Sequence, residues 1–257
     1  MKRLLAFAGL ALLLAARPGA AEVPVYQEVP YFESQVKDGK LPAIAERLPK
    51  DPAVAAFQWP GQGPGNYGGE LTMLMSSAKD TRYLVTYGYA QLVAYDAKYN
   101  LVPNILESFD VQDGRIFTFH LRPGQRWSDG SPFTSEDFRF FWEDIANNPD
   151  LSPAGPPADL VNDGKPATVE IIDKTTVRYS WPTRNANFLP ALALRPDLFI
   201  YSPSKYLKKL HKKYADPAEL AQVIKDAGAR NWAQNFNRRN SPTATTIRRC
   251  RPCRPGC

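Results

Sequence analysis

The stretch FTFHLRPGQRWSDGSPFTSEDFRFFWEDI, residues 117–145, holds a strand, two turns and the start of a helix within thirty positions. Phe117, Phe119 and Leu121 alternate with Thr118, His120 and Arg122, the pattern of a half-buried strand, and Pro123-Gly124 ends it. Asp129-Gly130 marks a tight turn, because glycine accepts the positive φ that such turns need. Thr134 is placed as a helix N-cap, with Glu136 and Asp137 in the first turn, where carboxylates favour the positive end of the helix dipole. Phe138, Phe141, Trp142 and Ile145 follow at i, i+3, i+4 and i+7, a core-facing stripe, and Pro149 stops the helix. Glu143 and Asp144 flank the stripe on its wet side. A catalytic acid and base would need two carboxylates converging on a cleft. Here each carboxylate has a structural slot, so the stretch reads as scaffold.

Working outward, residues 22–68 are rich in Pro and Gly and read as an extended arm wrapped on a body, with one short helix near Leu41–Leu48. GELTMLMSS, residues 69–77, alternates Leu71, Met73 and Met75 with Thr72 and Leu74, which predicts a strand. Asp80 or Thr81 would cap a helix through RYLVTYGYAQLVAYD. A strand-loop-helix with polar residues at the strand end is a common place to bind a ligand. Beyond the opening stretch, ATVEIIDKTTVRYSW predicts a hairpin, with Val169 and Ile171 on one arm, Val177, Tyr179 and Trp181 on the other, and Asp173-Lys174 near the turn. NANFLPALAL predicts a short helix or turn interrupted at Pro190. FIYSPSKYLKKLHKKYADP predicts a short strand and then a basic helix capped at Ser202 or Ser204. Its lysines 205, 208, 209, 212 and 213 form a solvated face. Asp216 caps a last helix, with Pro217 at its first position.

Residues 1–21, MKRLLAFAGLALLLAARPGAA, have a basic start, an apolar run and small residues at 19 and 21, the pattern of a cleaved secretory signal peptide. The run is shorter than the roughly 20 residues of a membrane span. The formal charge of +6 resides at the ends: Lys2, Arg3 and Arg17 at one, Arg248, Arg249, Arg251 and Arg254 at the other. Without those seven, the basic and acidic residues nearly balance, so the body has no nucleic-acid footprint. All three cysteines, Cys250, Cys253 and Cys257, fall in RRCRPCRPGC. Their spacing supplies no fourth ligand, so neither a metal site nor a complete disulfide framework is expected.

The sequence contains no phosphate-binding glycine loop, no G-x-S-x-G and no H-E-x-x-H, and the body has no cysteine and only His120 and His211. Nothing in it argues for an enzyme, and no cofactor is expected.

Residues 99–145 resemble the signature of the family 5 extracellular solute-binding proteins, the peptide-, oligopeptide- and nickel-binding components of bacterial ABC importers. The correspondence runs through Pro103, Ile105, Leu106 and Ser108, then Thr118, Phe119, Leu121 and Arg122. It continues through Gly124, Trp127, Asp129 and Gly130, and then Thr134 and Asp137. YGGELTMLM, LVAYD, KTTVRYSWPTRNANFLPALA and SPSKYLKK are similar to further family segments in the same order. The arm before Tyr67 is similar to that of members associated with peptide or microcin uptake. The resemblance implies a mixed α/β fold of the type II periplasmic-binding-protein class. In these terms the chain comprises a signal peptide (1–21), the arm (22–68), part of the family 5 domain (69–239) and a tail (240–257). Only the first lobe with its inserted subdomain is expected here, the second lobe being absent. The tail is expected to be out of frame. TTIRRCRPCRPG, back-translated with permitted codons and read one frame over, gives DNPTLPTLPAW. That string is similar to the family residues on the C-terminal side of an NW-x-x-x-x-N-R-R segment, which stands here as Asn231, Trp232, Asn237, Arg238 and Arg239.

The implied function is reversible binding, in the periplasm and as a monomer, of an extended oligopeptide or similar solute for delivery to an inner-membrane ABC permease. By position, Ser76, Ser77 and Ala78 are candidates for the cleft wall, with Tyr87 as a stacking or hydroxyl contact, while Trp127 and Asp129 are expected to be structural. Because closure needs both lobes, this chain alone is expected to show no measurable peptide affinity. Two other readings stay open at this point: a secreted hydrolase, and a non-transporting interaction protein or pseudogene product.

Overall fold

The computed structural model describes residues 26–54, 57, 59–70, 72, 74–78, 80, 90–194 and 198–240. The predicted signal peptide, residues 82–89 of the helix expected over 82–96, and the cysteine tail lie outside them. The centre of the fold is a four-stranded antiparallel sheet in the order β3-β4-β8-β7, formed by β3 (Leu106–Gln112), β4 (Ile116–Leu121), β7 (Thr168–Ile171) and β8 (Thr176–Ser180). Two small ribbons accompany it, β1 (Val93–Tyr95) with β2 (Leu101–Pro103), and β5 (Val161–Asn162) with β6 (Lys165–Pro166).

The expected strand over residues 115–123 is β4, and it lies inside the sheet, paired with β3 on one side and β8 on the other. In the three-residue β3–β4 connection Asp113 and Gly114 stand at φ 53° and 66°, which lets the Arg115 N–H close the turn on Gln112 O at 3.1 Å. The predicted hairpin forms as β7 and β8, with Val169 opposite Tyr179 and Ile171 opposite Val177. Strand alternation then sorts the faces. One carries the buried Phe117, Phe119, Val177 and Tyr179, and the rings of Phe117, Phe119 and Tyr179, with Trp181, pack around the fully buried Phe188 of α4 (Phe188–Leu194). The other runs Asp110, Thr118, Arg178, Glu170 across four strands in register. Pro190 does not interrupt α4: it occupies the first turn, where a missing N–H costs nothing.

The helix after Thr134 begins as α3 (Ser135–Arg139) and continues as a π-helix over Phe140–Ala146. The expected stripe faces inward, with Phe138, Phe141 and Ile145 buried and Trp142 half-buried, but Phe140 is fully buried too. The helix is therefore covered on two sides: by Phe133 and Tyr201 around Phe138, and by His211, Tyr214 and Phe236 around Phe140. That second cover corrects the reading of Asp144 as a wet-side residue, because its side chain is only 3% exposed.

Other expectations change for equally local reasons. No strand forms among the described residues of 69–77, and Leu74 is fully exposed. An alternating pattern makes a strand only where a neighbour accepts its backbone groups, and no described strand pairs with it. In the described part of the predicted helix, residues 90–96, strand β1 forms instead over Val93–Tyr95. Asp96 Oδ1 accepts the N–H groups of Lys98 and Asn100, closing a turn that returns the chain along β2. In the arm, α1 (Pro30–Lys37) joins the expected short helix, α2 (Ile44–Arg47). The arm is pinned to the body where Lys50 N–H donates to Pro123 O and Arg122 donates to Asp51 O. Past that point it does not wrap: Val54, Phe57, Trp59 and Tyr67 are exposed.

Residues 198–203 are not a strand, although Ile200 and Tyr201 are buried. The basic segment holds only α5 (Ser204–Leu207), followed by a 3-10 turn over Lys208–Leu210. Asp216 caps α6 (Pro217–Asp226) by accepting from Ala218 and Glu219 N–H, as predicted, but α6 is not the last helix. α7 (Trp232–Asn240) follows it.

Candidate functional site

The signature turn is built on Asp137. Thr134 stands at the N-cap of α3, and Asp137, three residues on, reaches back so that its Oδ2 accepts the Thr134 N–H at 3.0 Å. The same oxygen accepts the indole N–H of buried Trp127 at 3.0 Å, and Oδ1 accepts the Ser204 N–H at 2.9 Å. Asp137 is 1% exposed. One carboxylate thus joins the turn, the start of α3 and the start of α5. This replaces the expected local cap on α5: Ser204 is the first helical residue, capped from another helix, and the Ser202 hydroxyl donates instead to Asn240 Oδ1. Burial pushes the Asp137 pKa up, against the pull of its hydrogen bonds from Thr134, Ser204 and Trp127.

The rest of the signature supports this centre. Leu121 is buried at the end of β4. Arg122 and Gly124 meet the arm, and a Cβ at Gly124 would lie 3.6 Å from Lys50 N. Gly130, at φ 79°, lets its N–H reach Trp127 O at 2.9 Å, while Trp127 N–H reaches Ser131 O at 2.8 Å. Asp129 Oδ1 accepts the Ser131 N–H and hydroxyl, which holds its pKa down although burial opposes this. Trp127 packs edge-on to Phe133 at 5.2 Å, and Tyr201 covers both.

The candidate wall residues stand apart from this cluster. Ser76 is exposed and its hydroxyl donates to Asp80 Oδ2 at 2.5 Å. The Ser77 N–H donates to the same oxygen at 3.1 Å, and Asp80 N–H donates back to Ser77 O. These bonds fold Ser76, Ser77 and Ala78 into a compact bend with Ala78 exposed. The Ser77 hydroxyl oxygen is buried without a partner among the described residues. Tyr87 lies outside the described residues, so nothing places it beside the serines.

Sequence reasoning missed a second polar cluster, on the far side of α3. Asp144 accepts from Lys213 at 2.7 Å, from the Tyr214 hydroxyl at 2.7 Å and from Arg139 at 3.3 Å. Burial alone would raise the Asp144 pKa, but Lys213, Tyr214 and Arg139 hold it below the ordinary carboxylate value. Arg139 also pairs with Glu136 and Glu143, and Lys208 with Glu136. The lysines are therefore not a uniform solvated face: 208, 212 and 213 are ion-paired. The only advance signal was the coincidence of acids on one segment with lysines on another. Among the described residues, no group of three or more His, Cys, Asp or Glu side chains could hold a metal ion.

The profile of the bacterial extracellular solute-binding proteins, family 5 Middle, matches residues 100–240, a span that includes both clusters. The chain belongs to this family. Family 5 relatives include the periplasmic alpha-galactoside-binding protein of Rhizobium meliloti (strain 1021), 34% identical over 204 residues, covering 71% of this chain and 29% of the relative. The periplasmic oligopeptide-binding protein OppA of Escherichia coli (strain K12) is 35% identical over 81 residues, 32% of this chain and 14% of that protein. Among solved structures, an oligopeptide-binding protein OppA superposes with TM-score 0.72 at 30% identity, over 85% of this chain and 33% of the other. MelB of Agrobacterium fabrum C58, solved with stachyose, shares the fold with TM-score 0.54 at 24% identity, over 85% and 34%. The chain thus spans about a third or less of these relatives' lengths. Its mixed α/β architecture corresponds to that part of the periplasmic-binding-protein fold.

Proposed function

We propose that this chain is the first-lobe part of a periplasmic receptor that reversibly binds an extended oligopeptide and hands it to an inner-membrane ABC permease. The observation that carries the reading is the 0.72 TM-score superposition on an oligopeptide-binding protein at 30% identity. Ser76, Ser77 and Ala78 then form part of the cleft wall through the exposed Ser76 and Ala78, and the Ser76 hydroxyl and Ser77 N–H would have to exchange Asp80 for the peptide main chain to read it. Tyr87 is proposed as an added contact. Trp127 and Asp129 serve the fold and leave the ligand alone. The chemistry is binding without turnover, by a monomer.

A second reading has its own support. The relative with 34% identity over 204 residues is named for alpha-galactosides, so an oligosaccharide ligand is the competing class. NMR titration of the chain separates the two, with a tripeptide or stachyose at millimolar concentration. A peptide ligand predicts amide shifts at Ser76–Ala78 with the tripeptide only, while calorimetry on residues 1–257 alone shows no micromolar binding, since closure around a ligand needs both lobes. Shifts with stachyose alone would favour the sugar reading. No shifts at Ser76–Ala78 with either ligand would remove these residues from the wall, and peptide hydrolysis would sink the pure-receptor reading.

A further inference from the structure

The aromatic cluster around His211 shares no residue with the proposed wall and is not used by the proposed binding function. His211 is 1% exposed. Its ring centroid lies 4.9 Å from Trp232, 5.5 Å from Tyr214, 5.5 Å from Phe236 and 6.0 Å from Phe140. Trp232 and Phe236 come from α7, and Phe140 comes from the π-helix, so the imidazole is the centrepiece between the last helix and the body.

The polar partners fix one form of the ring. Nε2 lies 3.0 Å from the Asp144 carbonyl, which can only accept, and Nδ1 receives the Lys213 N–H at 3.2 Å. Nε2 therefore carries the proton, Nδ1 is bare, and the ring is neutral. A second proton would turn Nδ1 into a donor aimed at another donor. It would also place a cation beside Asp144 and Asp150, both already paired with lysines, with no unpaired carboxylate facing it among the described residues. From the same segment come Lys212, paired with Asp150 and lying 5.2 Å over the Trp232 ring, and Lys213. Lys208 covers Phe140 and Tyr214. From the π-helix comes Asp144, already shared by Lys213, Tyr214 and Arg139, and beyond it Asn148, 3.4 Å from Nε2. From α7 the Trp232 and Phe236 rings face the imidazole.

α7 carries a second mark of poised docking. Its Asn235 is 0% exposed, with neither amide atom hydrogen-bonded among the described residues, an arrangement that costs free energy in any buried interface. Its further ties include Asn237 to Leu151 O at 3.4 Å, Asn240 to Ser202 at 3.1 Å, Arg238 to Ala227 O at 3.3 Å and a hydrogen bond between Trp232 and Asp150. We infer that His211 is a proton-operated latch: in mildly acidic surroundings its ring takes a second proton and α7 leaves the body, while the sheet and α3 stay folded.

Hydrogen exchange read by mass spectrometry, corrected for the intrinsic effect of pH, tests this on the intact chain between pH 7.5 and 5.0. Opening linked to one proton can grow by at most about tenfold per pH unit. The expected result is several-fold to about tenfold loss of α7 protection per unit below the titration point, with β4 and α3 unchanged. His120→Gln, a partly exposed control on β4, should behave like the wild type, and His211→Gln should be flat. Constant α7 protection in the wild type, an equal loss in His211→Gln, or simultaneous loss across the whole chain would overturn the latch. Should His211→Gln fail to fold, the wild-type imidazole is followed by NMR. Its titration must coincide with the change in α7 amide signals, and independent midpoints would refute the proposal.

Discussion

Replacing Asp137 with alanine would leave three N–H donors, those of Thr134, Trp127 and Ser204, facing a buried space with no acceptor. A buried donor left unpaired costs about 1–3 kcal/mol. Some of that is recovered because an ionised carboxylate no longer has to be held out of water, so the expected loss is about 3–5 kcal/mol. Asp137→Asn is the informative partner. Its Oδ1 can keep the oxygen position shared by Thr134 and Trp127, while its amide nitrogen confronts the Ser204 N–H, so one hydrogen bond is lost and about 1–3 kcal/mol is expected. Urea unfolding followed by tryptophan fluorescence and by far-UV circular dichroism measures both, and an unchanged m-value would show that only stability moved. A loss below about 1 kcal/mol for Asp137→Ala would refute the assignment of Asp137 as the junction of turn, α3 and α5. Equal losses for the two variants would refute the partition of its oxygens.

Phe188→Ala should cost about 3–5 kcal/mol, because the ring is fully buried among Phe117, Phe119, Tyr179 and Trp181, and a urea midpoint close to that of the wild type would contradict the packing. Asp144→Ala should cost about 1–3 kcal/mol, less than the roughly 3–5 kcal/mol of a fully buried broken pair, because Lys213 is more than half exposed. That loss should shrink in a Lys213→Ala background, and strict additivity would deny the coupling. Global stability should fall on the acid side. The His211 pKa is lowered by burial, so the folded state binds that proton less readily and stability declines as pH drops below the ordinary value of 6.5. Asp144, also lowered, adds a loss below its ordinary value of 3.8, whereas Asp137, raised by burial, works in the opposite direction. A urea midpoint that stays flat from pH 7.5 to 5.0 would contradict the His211 contribution. Finally, the gene should continue as DNPTLPTLPAW in the neighbouring frame past codon 240, and unrelated sequence there would make the cysteine-rich tail a genuine part of the protein.

Strand β4, the Asp129-Gly130 turn, the Thr134 cap, the β7–β8 hairpin and the Asp216 cap were all legible in the sequence. Each depends on interactions within about a dozen residues: alternation along a strand, positive φ at a glycine, or a carboxylate beside the helix start it caps. The family signature was legible for the same reason, since its residues lie close together in the chain. The strand expected over residues 69–77 shows the limit of that method. Its alternation is clear, but the partner a strand needs cannot be read from the strand itself. Asp137, Asp144 and His211 were decided by tertiary structure alone. Asp137 caps a helix 67 residues away, Asp144 meets Lys213 across 69, and the His211 ring is enclosed by Phe140 on the π-helix and Trp232 on α7, from separate parts of the chain. Local pattern places a carboxylate or an imidazole on a face of its own element. Whether that face meets water or a second layer depends on what packs there, and with it whether the charge is solvated, paired or switched.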